Sequence, residues 1–260
     1  MPRFAANLTM LFTEHPFLDR FELAAKAGFE AVEFLFPYDF TTADIQARLR
    51  DNGLKLVLHN LPAGNWSEGE RGIAVLPDRV DEFQEGVGRA IETATALGVK
   101  QLNCLAGKAP LGASESLLRN TFVSNLKFAA GELKKAGLKL LIEPVNNIDI
   151  PGFFLTRSAQ ALSIMDDVGS DNLYLQFDLY HAQRMEGELT GTLKRHLARI
   201  AHVQIADNPG RHEPGTGEVN WDFIFKQLDE LGYPGHVGCE YAPAAGTEAG
   251  LGWFKPYRKR

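Results

Sequence analysis

Short apolar runs alternate with longer amphipathic stretches along this chain, and the pair recurs eight times. The short runs cover residues 4–7, 31–36, 54–59, 100–105, 139–143, 173–178, 200–204 and 236–240. Most are apolar throughout rather than alternating, which reads as strands buried on both faces, the habit of a parallel sheet. Between them, apolar residues return at helical spacing over 17–27, 42–49, 81–97, 114–136, 156–168, 187–198, 221–231 and 247–254. Gly28, Gly98, Gly137 and Gly232 stand where helices should stop, and Thr41, Thr42 and Ser114 stand where they should start. Regular strand–helix alternation predicts a parallel sheet, and eight units over 1–260 predict one (β/α)8 TIM barrel, with a doubly wound open sheet as the alternative. The segment 60–77, with Gly64, Trp66, Gly69, Arg71 and Gly72, is a longer loop than connection alone requires.

Four of the runs end on an oxygen-bearing side chain: Glu143, Asp178, Gln204 and Glu240. A carboxylate at the end of a buried strand is costly unless it is paired, hydrogen-bonded or metal-bound. In a barrel these ends converge on the face where active sites sit. One such residue alone reads equally well as a polar strand end bonded to loop backbone. Four together point to a site. Oxygen donors suit Mg²⁺, Mn²⁺ or Ca²⁺ better than Zn²⁺. Two carboxylates facing each other there suit proton transfer between adjacent carbons, and Glu143 and Glu240 take those roles if Asp178 and Gln204 remain ligands.

Other candidates surround this set. His181, three residues past Asp178, is either a structural histidine or a donor to a substrate oxygen. Arg211 is placed to bind an anionic substrate, with Arg71 and Lys108 as further cations and His59 at the end of its strand. Phe12, Phe36, Trp66 and Tyr241 read as wall or core. Gly107-Lys108 lacks the upstream glycines of a phosphate loop, and Gly215-Thr216-Gly217-Glu218 does not follow a strand as a dinucleotide fingerprint does, so no nucleotide cofactor is expected. Cys239 precedes Glu240 and so points away from the site, which argues against a cysteine nucleophile.

The formal net charge of -6 argues against nucleic-acid binding. No apolar run is long enough for a bilayer. The N-terminus lacks a signal-peptide plan, and two cysteines, Cys104 and Cys239, make no disulfide framework, so a cytoplasmic enzyme is expected. The sequence leaves a homo-oligomer open.

Several segments together resemble the hydroxypyruvate isomerase family of xylose-isomerase-like TIM barrels, which includes 2-oxo-tetronate isomerases. They include Arg3-Phe4-Ala5-Ala6-Asn7-Leu8, His59-Asn60-Leu61-Pro62-Ala63-Gly64, Glu70-Arg71-Gly72-Ile73-Ala74, Leu141-Ile142-Glu143-Pro144-Val145-Asn146, Glu213-Pro214-Gly215-Thr216-Gly217-Glu218 and Gly238-Cys239-Glu240-Tyr241. The resemblance runs over nearly the whole chain. It implies acid–base roles for Glu143 and Glu240 and a small hydroxy- or keto-acid substrate. The implied reaction interconverts hydroxypyruvate and tartronate semialdehyde, or, one carbon longer, 2-oxo-tetronate and its 3-oxo isomer. The related ketose 3-epimerases hold a divalent metal through Glu, Asp, His and Glu; the matching positions are Glu143, Asp178, Gln204 and Glu240, so glutamine replaces the histidine. Those epimerases place a substrate-contacting His and Arg where His181 and Arg211 stand. A ketose 3-epimerase, an endonuclease IV-like nuclease and a non-catalytic sugar-acid binding protein are the competing readings.

Overall fold

A computed structural model describes residues 1–258. Eight parallel strands close into a barrel in sequence order: β1 Arg3–Asn7, β2 Ala31–Glu33, β3 Lys55–Asn60, β4 Gln101–Cys104, β5 Lys139–Ile142, β6 Leu173–Asp178, β7 Ile200–Ile205 and β8 His236–Cys239. The pairing of β1 with β8, Arg3 beside His236 through Ala6 beside Cys239, closes the ring. Closure excludes the open doubly wound sheet. The crossover helices are α1 Arg20–Lys26, α2 Thr42–Asp51, α3 Val80–Leu97, α4 Glu115–Lys135, α5 Ser158–Val168, α6 Leu179–Met185, α7 Leu189–His196, α8 Trp221–Glu230 and α9 Thr247–Gly250. The expected caps form: Thr41 Oγ1 accepts from the Asp44 N–H, and Ser114 Oγ from that of Leu117. Among the described residues no helix is long and apolar enough to cross a membrane.

The differences from the expected elements have local causes. The second strand stops at Glu33 rather than at 36: its register with β3 shifts there, and the Leu35 N–H leaves the ladder for Thr9 Oγ1 at 2.9 Å. The last helix is shorter than 247–254, because the chain turns after Gly250 to lay Trp253, Phe254 and Tyr257 against Phe4. Helix α6 was not expected at all. Asp178 starts it, its Oδ1 accepting from the N–H groups of Tyr180 and His181.

The barrel interior is more polar than the layers of branched aliphatic side chains usual in this architecture. Glu33 is fully buried and accepts three hydrogen bonds: from Asn7 Nδ2 at 3.1 Å, His202 Nε2 at 2.6 Å and Gln204 Nε2 at 2.8 Å. Gly238 on β8 leaves the room for this carboxylate, since a Cβ there would overlap both of its oxygens.

Candidate active site

The strand ends deliver the expected acids to one place. Glu143 follows β5 directly, Glu240 follows β8, and Asp178 ends β6. Glu143, Glu240, His181, Arg211, Arg71 and Trp66 line a cavity of about 240 Å³, whose remaining wall is apolar, with Leu105, Val145, Ile150 and Phe153. All three carboxyl groups are buried. Burial, with the Asp178 carboxylate adding to it, pushes Glu143 up to about 8, against the pull of Arg211 and of the Gln176 and Asn103 amides. Burial also holds Glu240 well above the ordinary carboxylate range and raises Asp178. Arg211 sits among them, its Nη2 3.4 Å from Glu240 Oε2 and its guanidinium 5.3 Å above the Tyr180 ring.

His181 is oriented by a residue that the sequence reading did not single out. Asn146 Oδ1 accepts from the backbone N–H groups of Ile148 and Asp149, which fixes the amide. Its Nδ2 therefore faces His181 Nδ1, at 2.7 Å. A ring nitrogen that accepts there leaves the proton of the neutral imidazole on Nε2. Burial keeps the ring neutral, holding its pKa well below the usual value. His181 thus presents an Nε2–H donor to the cavity. Asn146→Asp is expected to reverse this tautomer and to lower kcat by about 10- to 100-fold, as changes to orienting partners do. Ring ¹⁵N shifts would check it; an unchanged Nε2 signal would contradict the assignment.

The geometry revises the metal-ligand set. Gln204 Oε1 accepts from Gln176 Nε2 at 2.6 Å, and its Nε2 donates to Glu33, so its amide is spent inside the barrel below the cavity. Donor atoms of Glu143, Asp178 and His181 instead lie within 4.8 Å of one another. Asp178 Oδ2 is buried and accepts no hydrogen bond among the described residues, although Oδ1 is used as a cap. That oxygen lies 3.7 Å from His181 Nε2 and close to the Glu143 carboxylate, a setting that fits a hard divalent cation. With His181 held as a donor, Glu143 and Asp178 are the carboxylates of this group that could hold a cation, with Glu240 facing the same cavity.

The cations also sort themselves. Arg71 faces the cavity, its guanidinium 4.0 Å from the Trp66 ring centroid and its Nη1 donating to the Trp66 and Glu70 carbonyls. Its loop is seated by Gly72, at φ 117, against Leu105 and Gly107; a Cβ would strike their backbone. Lys108 does not reach the cavity: it is exposed, its Nζ bonded to the Gly69 carbonyl at 2.8 Å. Nor does His59. It pairs in register with Leu102, which places it on the opposite strand face from Asn60 and Asn103, against the Tyr38 ring. Burial holds it down to about 4. Since the unfolded chain takes up that proton near 6.5, stability is full above pH 6.5 and lost as pH falls toward 4. Urea unfolding at pH 7 and pH 5 should show about 2 kcal/mol of loss from this group, removed in His59→Gln.

Asn103 was also missed; its Nδ2 donates to Glu143 Oε2 at 2.9 Å. The signal was present, a polar side chain inside an apolar strand, as it was for Glu33 in β2.

Residues 21–257 match the xylose isomerase-like TIM barrel family. The hydroxypyruvate isomerase of Escherichia coli (strain K12) is 55% identical over 99% of this chain and 100% of its own. The 2-oxo-tetronate isomerase of Cupriavidus necator is 50% identical, with both chains covered in full (100%). The crystal structure of an AP endonuclease, family 2, from Brucella melitensis superposes with a TM-score of 0.97 at 45% identity, covering 100% of each chain. On this full-length likeness and the closed barrel, the chain belongs to the xylose isomerase-like TIM barrel family, alongside the hydroxypyruvate and 2-oxo-tetronate isomerases.

Proposed function

We propose that the chain interconverts hydroxypyruvate and tartronate semialdehyde, moving a proton between Glu143 and Glu240 through an enediolate. One observation carries this reading: the two glutamates share a buried cavity with Arg71, a cation that has no acidic partner among the described residues. Arg71 takes the substrate carboxylate. One glutamate removes a proton from the hydroxymethyl carbon, and the other delivers one to the former carbonyl carbon. The hydroxyl oxygen loses its proton as the aldehyde forms, and the former carbonyl oxygen gains one. His181, donating through Nε2, serves that oxygen in this reading. A divalent cation such as Mg²⁺ or Mn²⁺, held by Glu143, Asp178 and Glu240, would supply Lewis-acid polarisation of the substrate oxygens.

The apolar wall of Leu105, Val145, Ile150 and Phe153 offers no partner to an extra hydroxyl, which favours the three-carbon acid over 2-oxo-tetronate. The same Arg71 favours an acid over a neutral ketose. We read the whole chain as one catalytic barrel working in the cytoplasm; the buried free thiols of Cys104 and Cys239 support a reducing setting.

Proton NMR in D₂O, with hydroxypyruvate and 2-oxo-tetronate offered separately, tests the reading. The expected result is faster turnover of hydroxypyruvate with deuterium entering the product. Turnover of neither acid would refute it, and retention of all substrate protons would refute the glutamate route. Arg71→Met should raise KM about 30-fold with kcat little changed, the pattern of lost uniform binding.

A further inference from the structure

A second cavity, of about 250 Å³, opens at the opposite mouth of the barrel, where the strands begin. Its rim is cationic. Arg3 opens β1, Lys55 opens β3 and Lys139 opens β5, while Lys100 directly precedes β4; the imidazole of His236, which opens β8, completes the rim as a neutral group. All five line this one cavity, and among the described residues no carboxylate does; Glu30, directly before β2, stands at the same mouth outside the lining. Barrel closure brings them together, since β1 lies beside β8 and β4 beside β5. The chain as a whole carries a net charge of -6, so this mouth runs against its general balance.

The four strongly basic side chains make no ion pair among the described residues. Arg3 donates to the Pro234 carbonyl, and Lys139 Nζ lies 4.7 Å from the Tyr174 ring centroid. Beneath them, His202 spends Nε2 on Glu33 and accepts from Gln101 Nε2 at Nδ1, 3.4 Å away. The floor is therefore satisfied internally, and the rim charges face the opening. Their field is felt at His236: burial first, then Arg3 and Lys55, hold its pKa down to about 4, with Glu30 pulling the other way. A concave site lined by charge of one sign concentrates counter-ions of the other.

We propose that this mouth is a second ligand site, taking a compact phosphate-bearing anion. Cations arriving from separate strands around a ring suit a tetrahedral, multiply charged group; arginine and lysine are the residues that hold phosphate. The cavity is close in size to the one holding the acids, so the ligand is a small molecule. The site is separated from the glutamates by the length of the strands, and it stands apart from the isomerase reading.

Isothermal titration calorimetry with inorganic phosphate, pyrophosphate and glycerol 3-phosphate, at constant ionic strength in chloride, tests this. The wild-type chain is compared with Lys55→Gln/Lys100→Gln/Lys139→Gln, and with Arg71→Met, which removes the cation without an acidic partner at the other mouth. The expected result is binding by wild type and Arg71→Met, weakened about tenfold or more in the triple variant, a loss in line with three modest charge contacts. The triple variant should keep the isomerase kcat/KM, which also shows it folded. The single variants Lys100→Gln and Lys139→Gln should each weaken binding by about twofold. Preference for glycerol 3-phosphate would assign an ester, and preference for the inorganic ions a free phosphate; either supports the site. No binding above the chloride background, equal binding by the triple variant, or loss in Arg71→Met alone would overturn it.

Discussion

Glu143→Gln and Glu240→Gln are each expected to lower kcat about 10³-fold, within the range that positioned acids and bases contribute, with much smaller changes in KM. The substitution is nearly isosteric. Glutamine at 143 still accepts from Asn103 Nδ2, so the cavity keeps its shape while losing a group able to carry a proton. The two variants should fail in the same way, because the reaction needs both a base and an acid. Deuterium exchange separates them further. The variant lacking the base stops solvent exchange at the hydroxymethyl carbon of hydroxypyruvate, whereas the variant lacking only the acid keeps it. Full activity in either variant would remove that residue from the reaction. Glu240→Gln should also free Arg211, whose 3.4 Å contact is with the Glu240 carboxylate.

The second large effect is on stability. Glu33→Gln and Gly238→Ala should each destabilise the fold by about 3 kcal/mol or more, the cost of breaking a buried charge network or overfilling a packed interior. The Glu33 carboxylate meets three donors, from Asn7, His202 and Gln204. A glutamine there would turn an NH₂ group against at least one of them, leaving buried donors unsatisfied. A methyl at 238 would press on the same carboxylate, which three hydrogen bonds prevent from moving aside. Because both variants act on one group, their costs should not add. Urea unfolding of the two variants and the double mutant would show this, and a loss below about 1 kcal/mol in either variant would mean the network is not needed.

These variants also separate two kinds of information. Gln204 and Glu143 each ended an apolar run, and spacing alone put both at the C-terminal mouth of a barrel. Their fates then diverged. Glu143 turns into the cavity, while Gln204 is held by Gln176 and Glu33 below it. Arg71 and Lys108 likewise read as equivalent loop cations, and only Arg71 reaches the cavity, because Gly72 seats its loop against the backbone after β4. Helix α6 escaped the pattern because it is short and follows its strand with no intervening loop, Asp178 serving as both strand end and cap.

The order of apolar and amphipathic segments determined the eightfold barrel, and the polar ends of four strands determined which mouth carries the acids. Both are local properties, set by period and by the cost of ending a buried strand on a charge. Tertiary structure decided the rest. The Asn146–His181 contact, the Arg211–Glu240 pair, the Glu33 network and the ring of cations at the far mouth join residues from separate strands and loops. They meet because the barrel closes, and closure is a property of all eight strands together, which no single segment encodes.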